Sequence, residues 1–209
     1  MVLLNGLQAL EGVLAALRSC SADAVWPGWG FVAEDASFVD RLAEEGITFL
    51  GPSAVTMRRL GDKIAAKKLA EKAGVAVTRW SGGALLDVDE ALRNARQIGF
   101  PVALKASAGG GGRGIRMVQR EEDLGAAFEE AASEAVTAFG DGRLFLEACV
   151  VGGRHIEVQI VGDSHGNVFA LGCRDCSVQR RHQKVLEEAP PPGLGDVAIA
   201  ELKEAAVRL

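Results

Sequence analysis

The sequence predicts an α/β fold in three pieces, and three observations carry that reading. Helical and strand-like patterns alternate at short intervals through the first 62 residues. A run of glycines beginning at Gly109 lies between two strand-like segments, not between a strand and a helix. Further on, polar and apolar residues alternate strictly from Arg154 to Ile160, the mark of a strand with two unlike faces.

In chain order, residues 7–17 carry apolar side chains at helical spacing, and residues 22–26 are short and apolar like a buried strand. Pro27-Gly28-Trp29-Gly30 breaks the chain into a tight loop. Residues 38–45 read as a helix stopped by Gly46, and residues 47–50 as a strand ahead of Gly51-Pro52. Strand, helix and strand at this spacing predict a parallel sheet. A single helix precedes its first strand, so the expectation is a sheet whose beginning is missing.

Residues 53–73 predict two helices, with Ser53 able to cap the first and Gly61-Asp62 interrupting before Lys63. A helix over 89–98, strands at 101–105 and 115–118, and a helix over 121–138 follow. Strands are expected at 144–148, 156–161 and 168–172. The last two are joined by Asp163-Ser164-His165-Gly166-Asn167, a hairpin turn by composition. Residues 197–209 are helical, and no internal repeat is evident.

Composition limits the classes of function. The chain has 209 residues, 48% hydrophobic and 24% charged, with both signs interspersed, which is a globular profile. A net charge of −5 gives no general pull toward nucleic acid, so any anion site must come from local basic clusters. The apolar runs are too short to span a bilayer, and no charged-then-apolar leader opens the sequence. Cys173 and Cys176 form a C-x-x-C pair, but no second pair completes a zinc set, and the stretch is strand-like instead of a helix start. With Cys20 and Cys149 they read as ordinary thiols in a reducing cytoplasm, and no protein-bound metal is expected among them.

The most informative stretch runs from Lys105 through Gly109, Gly110, Gly111 and Gly112 to Arg113-Gly114. Glycine has no Cβ, so the backbone can turn sharply and bring N–H groups against phosphate oxygens. Lys105 and Arg113 add positive charge at either end. No G-K-[ST] closes the run, which excludes a Walker A loop, and the following strand excludes a dinucleotide fingerprint. A surface linker is the plain alternative, but linkers seldom carry flanking buried strands and placed cations.

Two later segments are less decisive by themselves. Along residues 154–160 the period of two puts His155, Glu157 and Gln159 on one strand face and Ile156, Val158 and Ile160 on the other, as in an edge strand. The segment from Arg174 to Lys184 packs Arg174, Arg180, Arg181, His182 and Lys184 into eleven positions, with Glu187-Glu188 close behind. Such density fits a solvated charged loop as well as a site for phosphate and a small anion.

Taken together, these residues resemble the biotin carboxylase component of biotin-dependent carboxylases, an α+β ATP-grasp fold. The resemblance runs through Pro27-Gly28-Trp29-Gly30-Phe31, Phe49-Leu50-Gly51-Pro52 and Leu60-Gly61-Asp62-Lys63. It continues through Phe100-Pro101-Val102, Lys105 with the glycine loop, and Leu146-Glu147. Arg154-His155-Ile156-Glu157-Val158-Gln159 and the segment from Arg174 to Lys184, then Glu187-Glu188-Ala189-Pro190, complete it. It implies a partial parallel N-terminal domain (1–62), a connecting helix (63–76), a lid domain with the glycine hairpin (77–149) and part of the central antiparallel sheet (150–209).

The same resemblance implies that Lys63 and Lys105 hold ATP phosphates, with Gly111 and Gly112 in the lid. Glu147, Ala148, Cys149 and Val150 match the adenine-recognition segment. His155, Gln179 and His182 match residues around the ribose and adjoining phosphates, and Lys184 matches the bicarbonate-facing lysine. The implied reaction is attack of bicarbonate on the γ-phosphate of MgATP to give carboxyphosphate, which carboxylates biotin. Clustered cations suit two mutually repelling anions, and a hinged lid would keep water from the labile intermediate.

The chain also departs from the family pattern. An opening strand with A-N-R-G-E-I-A is absent, as is a later E-M-N-x-R-L-Q-V-E-H stretch that supplies the Mg2+ or Mn2+ ligands and the general base. The expectation is therefore that metal ligands lie downstream of Leu209, that ATP binds weakly, and that the chain alone is inactive and marginally stable. With no A-M-K-M motif, biotin is expected on another domain or chain, with a carboxyl carrier domain and a carboxyltransferase as partners. Trp26 and Arg79-Trp80-Ser81-Gly82 lean toward the acetyl-CoA or propionyl-CoA carboxylase type. A carbamoyl-phosphate synthetase-like ligase and a non-catalytic nucleotide-binding or scaffolding fragment are the alternatives. Association of like chains is expected through an unfinished sheet edge.

Overall fold

The computed structural model describes residues 10–28, 30–108, 114–180 and 183–209. The chain forms two compact units, Met1–Gly61 and Asp62–Leu209. In the first, α1 (Leu10–Ser19) leads to β1 (Ala24–Val25), α2 (Ala36–Glu44), β2 (Thr48–Phe49) and α3 (Ala54–Gly61). The strands are parallel, Ala24 opposite Thr48 and Val25 opposite Phe49, as the alternating pattern predicts. Asp35 starts α2 by accepting from the Ser37 and Phe38 amides at 2.8 and 3.3 Å, and Ser53 caps α3 through the Thr56 amide at 3.1 Å. Leu14, Phe38, Leu42 and Ile47 make the core, where Phe38 meets Phe49 edge-on at 6.3 Å. Each such side chain contributes about 2 kcal/mol by leaving water.

In the second unit, α4 (Lys63–Lys72) and α5 (Val88–Ile98) precede β3 (Val102–Ala106) and β4 (Ile115–Val118). Then come α6 (Leu124–Phe139) and β5 (Leu144–Ala148). The three strands form an antiparallel sheet in the order β4-β3-β5. The predicted glycine hairpin is thus β3–β4, although Gly109 to Arg113 themselves lie outside the described residues. Alternation divides the sheet cleanly. Val102, Leu104, Leu144 and Leu146 pack on Ala91 and Ala95 of α5 and Ala131 and Ala135 of α6. These small helical residues let both helices approach the strands closely. Lys105, Phe145 and Glu147 are left on the other face.

The remaining strands, β6 (Ile156–Gly162), β7 (Val168–Arg180) and β8 (Gln183–Glu188), form a second antiparallel sheet in the order β6-β7-β8, with α7 (Asp196–Arg208) packed on β6 and β7. The hairpin turn is where composition put it: Asp163 accepts from the His165 and Asn167 amides at 2.8 and 2.9 Å. The basic segment starting at Arg174, which the sequence left open between a charged loop and an anion site, forms the second half of β7 and, from Gln183, the start of β8. Its charges are tolerated in a ladder because they meet opposite charges across the strands, and bulges near Asp175 and Val178 absorb the irregular register. Among the described residues, each of β6 and β8 pairs on one side only, and Phe169, Leu171 and Val185 of this sheet are exposed. Among the same residues no helix is long and apolar enough to cross a membrane.

Candidate functional site

The helix bearing Lys63 begins where it does because Asp62 caps it, accepting from the Ala65 amide at 2.9 Å. The same carboxylate accepts from Ser107 Oγ at 2.9 Å and from the Arg143 guanidinium at 2.8 Å. Burial pushes the Asp62 carboxyl up, but the Ala65, Ser107 and Arg143 contacts outweigh it and hold it below the usual range. Wholly buried Ser107 receives the Lys63 amide on its carbonyl at 3.1 Å, while its own amide donates to the Arg143 carbonyl at 2.8 Å. The first turn of α4 is thereby fastened to the chain just past β3, close to Lys105. Burial lowers the Lys63 ammonium pKa, and the charge of Lys105 lowers it further. Two lysines brought this near to one another make a position suited to an anion.

Lys105 also forms an ion pair with Glu147, its diagonal neighbour on β5. The other Glu147 oxygen lies 2.9 Å from Lys67 Nζ and accepts from Thr78 Oγ1 at 3.2 Å. Burial pushes the Glu147 carboxyl up, yet Lys105 and Lys67 together hold it below its ordinary value. Lys67 was missed in the sequence, although its spacing of four from Lys63 places both on one helix face. The strand bearing Glu147 ends one residue later, at Ala148. The Ala148 amide bonds to the Arg79 carbonyl at 2.8 Å and the Cys149 amide to the Pro101 carbonyl at 3.2 Å, while Val150 is exposed.

On the second sheet, His155 and Gln179 come together: the Gln179 amide nitrogen lies 2.8 Å from His155 Nδ1 and donates to the Cys176 carbonyl at 2.8 Å. Glu157 is the centre of a charged cluster, paired with Lys184 and with Arg174, which also reaches Glu187 at 2.8 Å. Burial raises the Glu157 carboxyl, but Lys184 and Arg174 outweigh it and keep it ionised, while the bond to Glu157 raises the Lys184 ammonium pKa. Arg154, also unremarked as a contact in the sequence, pairs with Asp175 at 2.7 Å and donates to the Pro192 carbonyl at 2.7 Å. Gly111, Gly112 and His182 lie outside the described residues.

Glu157, Cys176 and Glu187 bring their ligand atoms within 4.8 Å of one another, the one such grouping found among the described residues. It does not fit magnesium, a hard cation that takes oxygen ligands and its own waters. Both carboxylates are already occupied by Arg174 or Lys184, and the Cys176 thiol is pushed up by burial and by the charge of Glu157. Cys173 and Cys176 are buried and not joined in a disulfide.

Comparison with known proteins agrees with this architecture. Residues 5–57 match the family described as "Biotin carboxylase, N-terminal domain", and residues 62–209 match "Carbamoyl-phosphate synthase L chain, ATP binding domain". A biotin carboxylase of Halalkalibacterium halodurans is 45% identical over 95% of this chain and 44% of its own length. The propionyl-CoA carboxylase alpha chain of Ruegeria pomeroyi is 44% identical over 96% of this chain and 29% of its own. The Campylobacter jejuni biotin carboxylase, solved as a β,γ-ATP complex, superposes with a TM-score of 0.92 at 47% identity, covering 96% of this chain and 45% of that one. The chain therefore spans less than half the length of these relatives.

Likeness of this extent places the fold among the ATP-grasp proteins. The chain belongs to the biotin carboxylase family.

Proposed function

We propose that the chain provides the nucleotide-holding part of a biotin carboxylase, within a biotin-dependent carboxylase that acts on an acyl-CoA, acetyl-CoA or propionyl-CoA. The observation that carries this reading is the hydrogen bond from the Lys63 amide to the Ser107 carbonyl at 3.1 Å, which fixes Lys63 near Lys105 at the root of the glycine hairpin. In this assignment both lysines take ATP phosphates, with Gly111 and Gly112 closing over them. Glu147, Ala148, Cys149 and Val150 face the adenine, and His155, Gln179 and His182 surround the ribose and adjoining phosphates. Lys184 receives bicarbonate, its ammonium held in place by Glu157. The three segments 63–76, 77–149 and 150–209 act as connecting helix, lid and sheet floor, following the N-terminal piece at 1–62.

The chemistry follows from these positions. A bicarbonate oxygen forms a bond to the γ-phosphorus as the bond to the β–γ bridging oxygen breaks, releasing ADP and carboxyphosphate. Carboxyphosphate then splits into CO2 and phosphate, the CO2 carbon bonds to a ureido nitrogen of biotin, and the proton of that nitrogen passes to the departing phosphate. Two anions must meet for the first step, and the cations at Lys63, Lys105 and Lys184 reduce their repulsion. Biotin arrives on a carboxyl carrier domain, and a carboxyltransferase consumes the product. A solved relative, the biotin carboxylase domain dimer of the Hydrogenobacter thermophilus 2-oxoglutarate carboxylase, was obtained with MgADP, ADP and bicarbonate, which supports the same ligands here.

We further propose that the chain alone binds ATP weakly and does not turn it over, because Glu147, Glu157 and Glu187 are each paired with lysine or arginine and are not free to hold the magnesium that accompanies ATP. The test is calorimetric titration with ATP beside an assay of ADP release with bicarbonate, with and without biotin. Binding without release is the expected result. Release that requires bicarbonate and rises with biotin would overturn the inactivity, and absence of ATP binding would overturn the assignment itself.

A further inference from the structure

The carboxylate of Glu147 lies between two ammonium groups, only one of which belongs to the proposed phosphate site. Lys105 reaches it along the sheet face, and Lys67 reaches its other oxygen from α4 at 2.9 Å. Lys67 is held from three directions. It bonds to Glu147, it donates to Thr78 Oγ1 at 2.9 Å, and it lies 5.5 Å from the centroid of the Trp80 ring. Trp80 is itself fixed, donating from Nε1 to Glu71 at 2.6 Å and meeting Phe145 edge-on at 6.0 Å. With a side chain only 15% exposed, Lys67 occupies a built position and is not a solvated surface lysine.

We propose that Lys67 is a positioning residue for the nucleotide: it neutralises Glu147 and so leaves the charge of Lys105 available to phosphate. The proposal rests on the assignment of Lys105 as a phosphate ligand. A half-buried carboxylate facing a single ammonium closes into a pair with it, and an incoming polyanion must then compete with that carboxylate for the cation. With two ammoniums around one carboxylate, the trio carries a surplus positive charge. The Thr78 and Trp80 contacts keep Lys67 on Glu147, so Lys105 is the member that can turn toward the ligand. The glutamate in turn holds Lys105 against the sheet while no anion is bound.

The test is calorimetric titration of ATP into the chain and into three variants, Lys67→Met, Lys67→Arg and the double variant Lys67→Met with Glu147→Gln. Each is accompanied by a thermal melt. Lys67→Met is expected to weaken ATP about tenfold, the effect of one charged contact in a partly buried site. Lys67→Arg keeps the charge and stays within about twofold of the parent. The double variant regains most of the lost affinity, because the neutral amide that replaces the carboxylate no longer competes for Lys105.

That recovery separates charge balance from a purely structural role, since a structural lysine would not be rescued by removing its partner. Equal ATP affinity of the parent and Lys67→Met overturns the proposal. So does equal loss in the Met and Arg variants, or a double variant as weak as the single one. If Lys67→Met does not fold, the Arg and double variants still decide. A parent chain that fails to bind ATP overturns the nucleotide assignment, and this proposal with it.

Discussion

Glu157 of β6 and Lys184 of β8 form an ion pair across the strand between them, and Arg174 of that strand contacts the same carboxylate. Bonding to Glu157 raises the Lys184 pKa above its ordinary 10.5. A folded pKa above the unfolded one means that the contribution to stability is complete below 10.5 and fades as pH rises through the folded value. Thermal melts across the alkaline range should show this loss in the parent and not in Lys184→Met. Because the lysine side chain is 36% exposed, the difference at neutral pH should stay below about 1 kcal/mol.

Acid should expose the opposite behaviour at Asp175. Bonds from Ser177 and Arg154 lower its carboxyl from 3.8 to about 2. The stability it contributes is present above the unfolded value and is lost as pH falls through that window. Asp175→Asn should flatten the acid limb of the stability curve between these two values. Melts of parent and variant on either side of the window decide it.

These two pairs also mark how far the sequence could be read. Residues around Lys105 were legible because the apolar strands flanking the glycines announce a hairpin, and β3–β4 is one. The alternation of Glu157 and Gln159 along β6 was legible by itself, since a period of two needs no knowledge of partners, while His155 stands just before the strand. The β7–β8 hairpin was not. Arg174, Asp175 and Lys184 have little strand propensity, and they become strand residues only by pairing with Glu157, Arg154 and Glu187, which local pattern does not reveal. Lys67 was hidden for the same reason, because its partner Glu147 lies eighty positions away on another element.

The Asp62 cap joins α4 to both strands of the lysine site, so its removal should reach beyond the helix. Asp62→Ala should cost about 2 kcal/mol, the upper end for a helix cap, because Ser107 and Arg143 lose a partner along with the Ala65 amide. Asp62→Asn, which can still accept, should cost less. Urea unfolding of the two variants measures the difference.

Gly114 closes the glycine loop with φ of +68°, and a Cβ there would lie 2.9 Å from the Ala106 Cβ. Both the left-handed backbone and the overlap oppose any side chain. Gly114→Ala should destabilise the chain by about 2 kcal/mol, read by denaturant unfolding. It should also disturb the Ala106–Gly114 bond of 2.9 Å that shuts the root of the loop.

Lys63 links the electrostatics of the site to a measurement of protons. Burial and then the charge of Lys105 lower its pKa below 10.5, so part of the Lys63 population is neutral at alkaline pH below that value. An ATP phosphate placed beside it favours the ammonium and raises the pKa again. Binding must then draw a proton from solvent wherever part of this population is neutral. Titrations of ATP in alkaline buffers of different ionisation enthalpy report that uptake directly. Lys63→Met should abolish it and weaken binding, while Lys184→Met should leave the uptake in place. Uptake that persists in Lys63→Met would assign the proton to another group and remove Lys63 from the phosphate site.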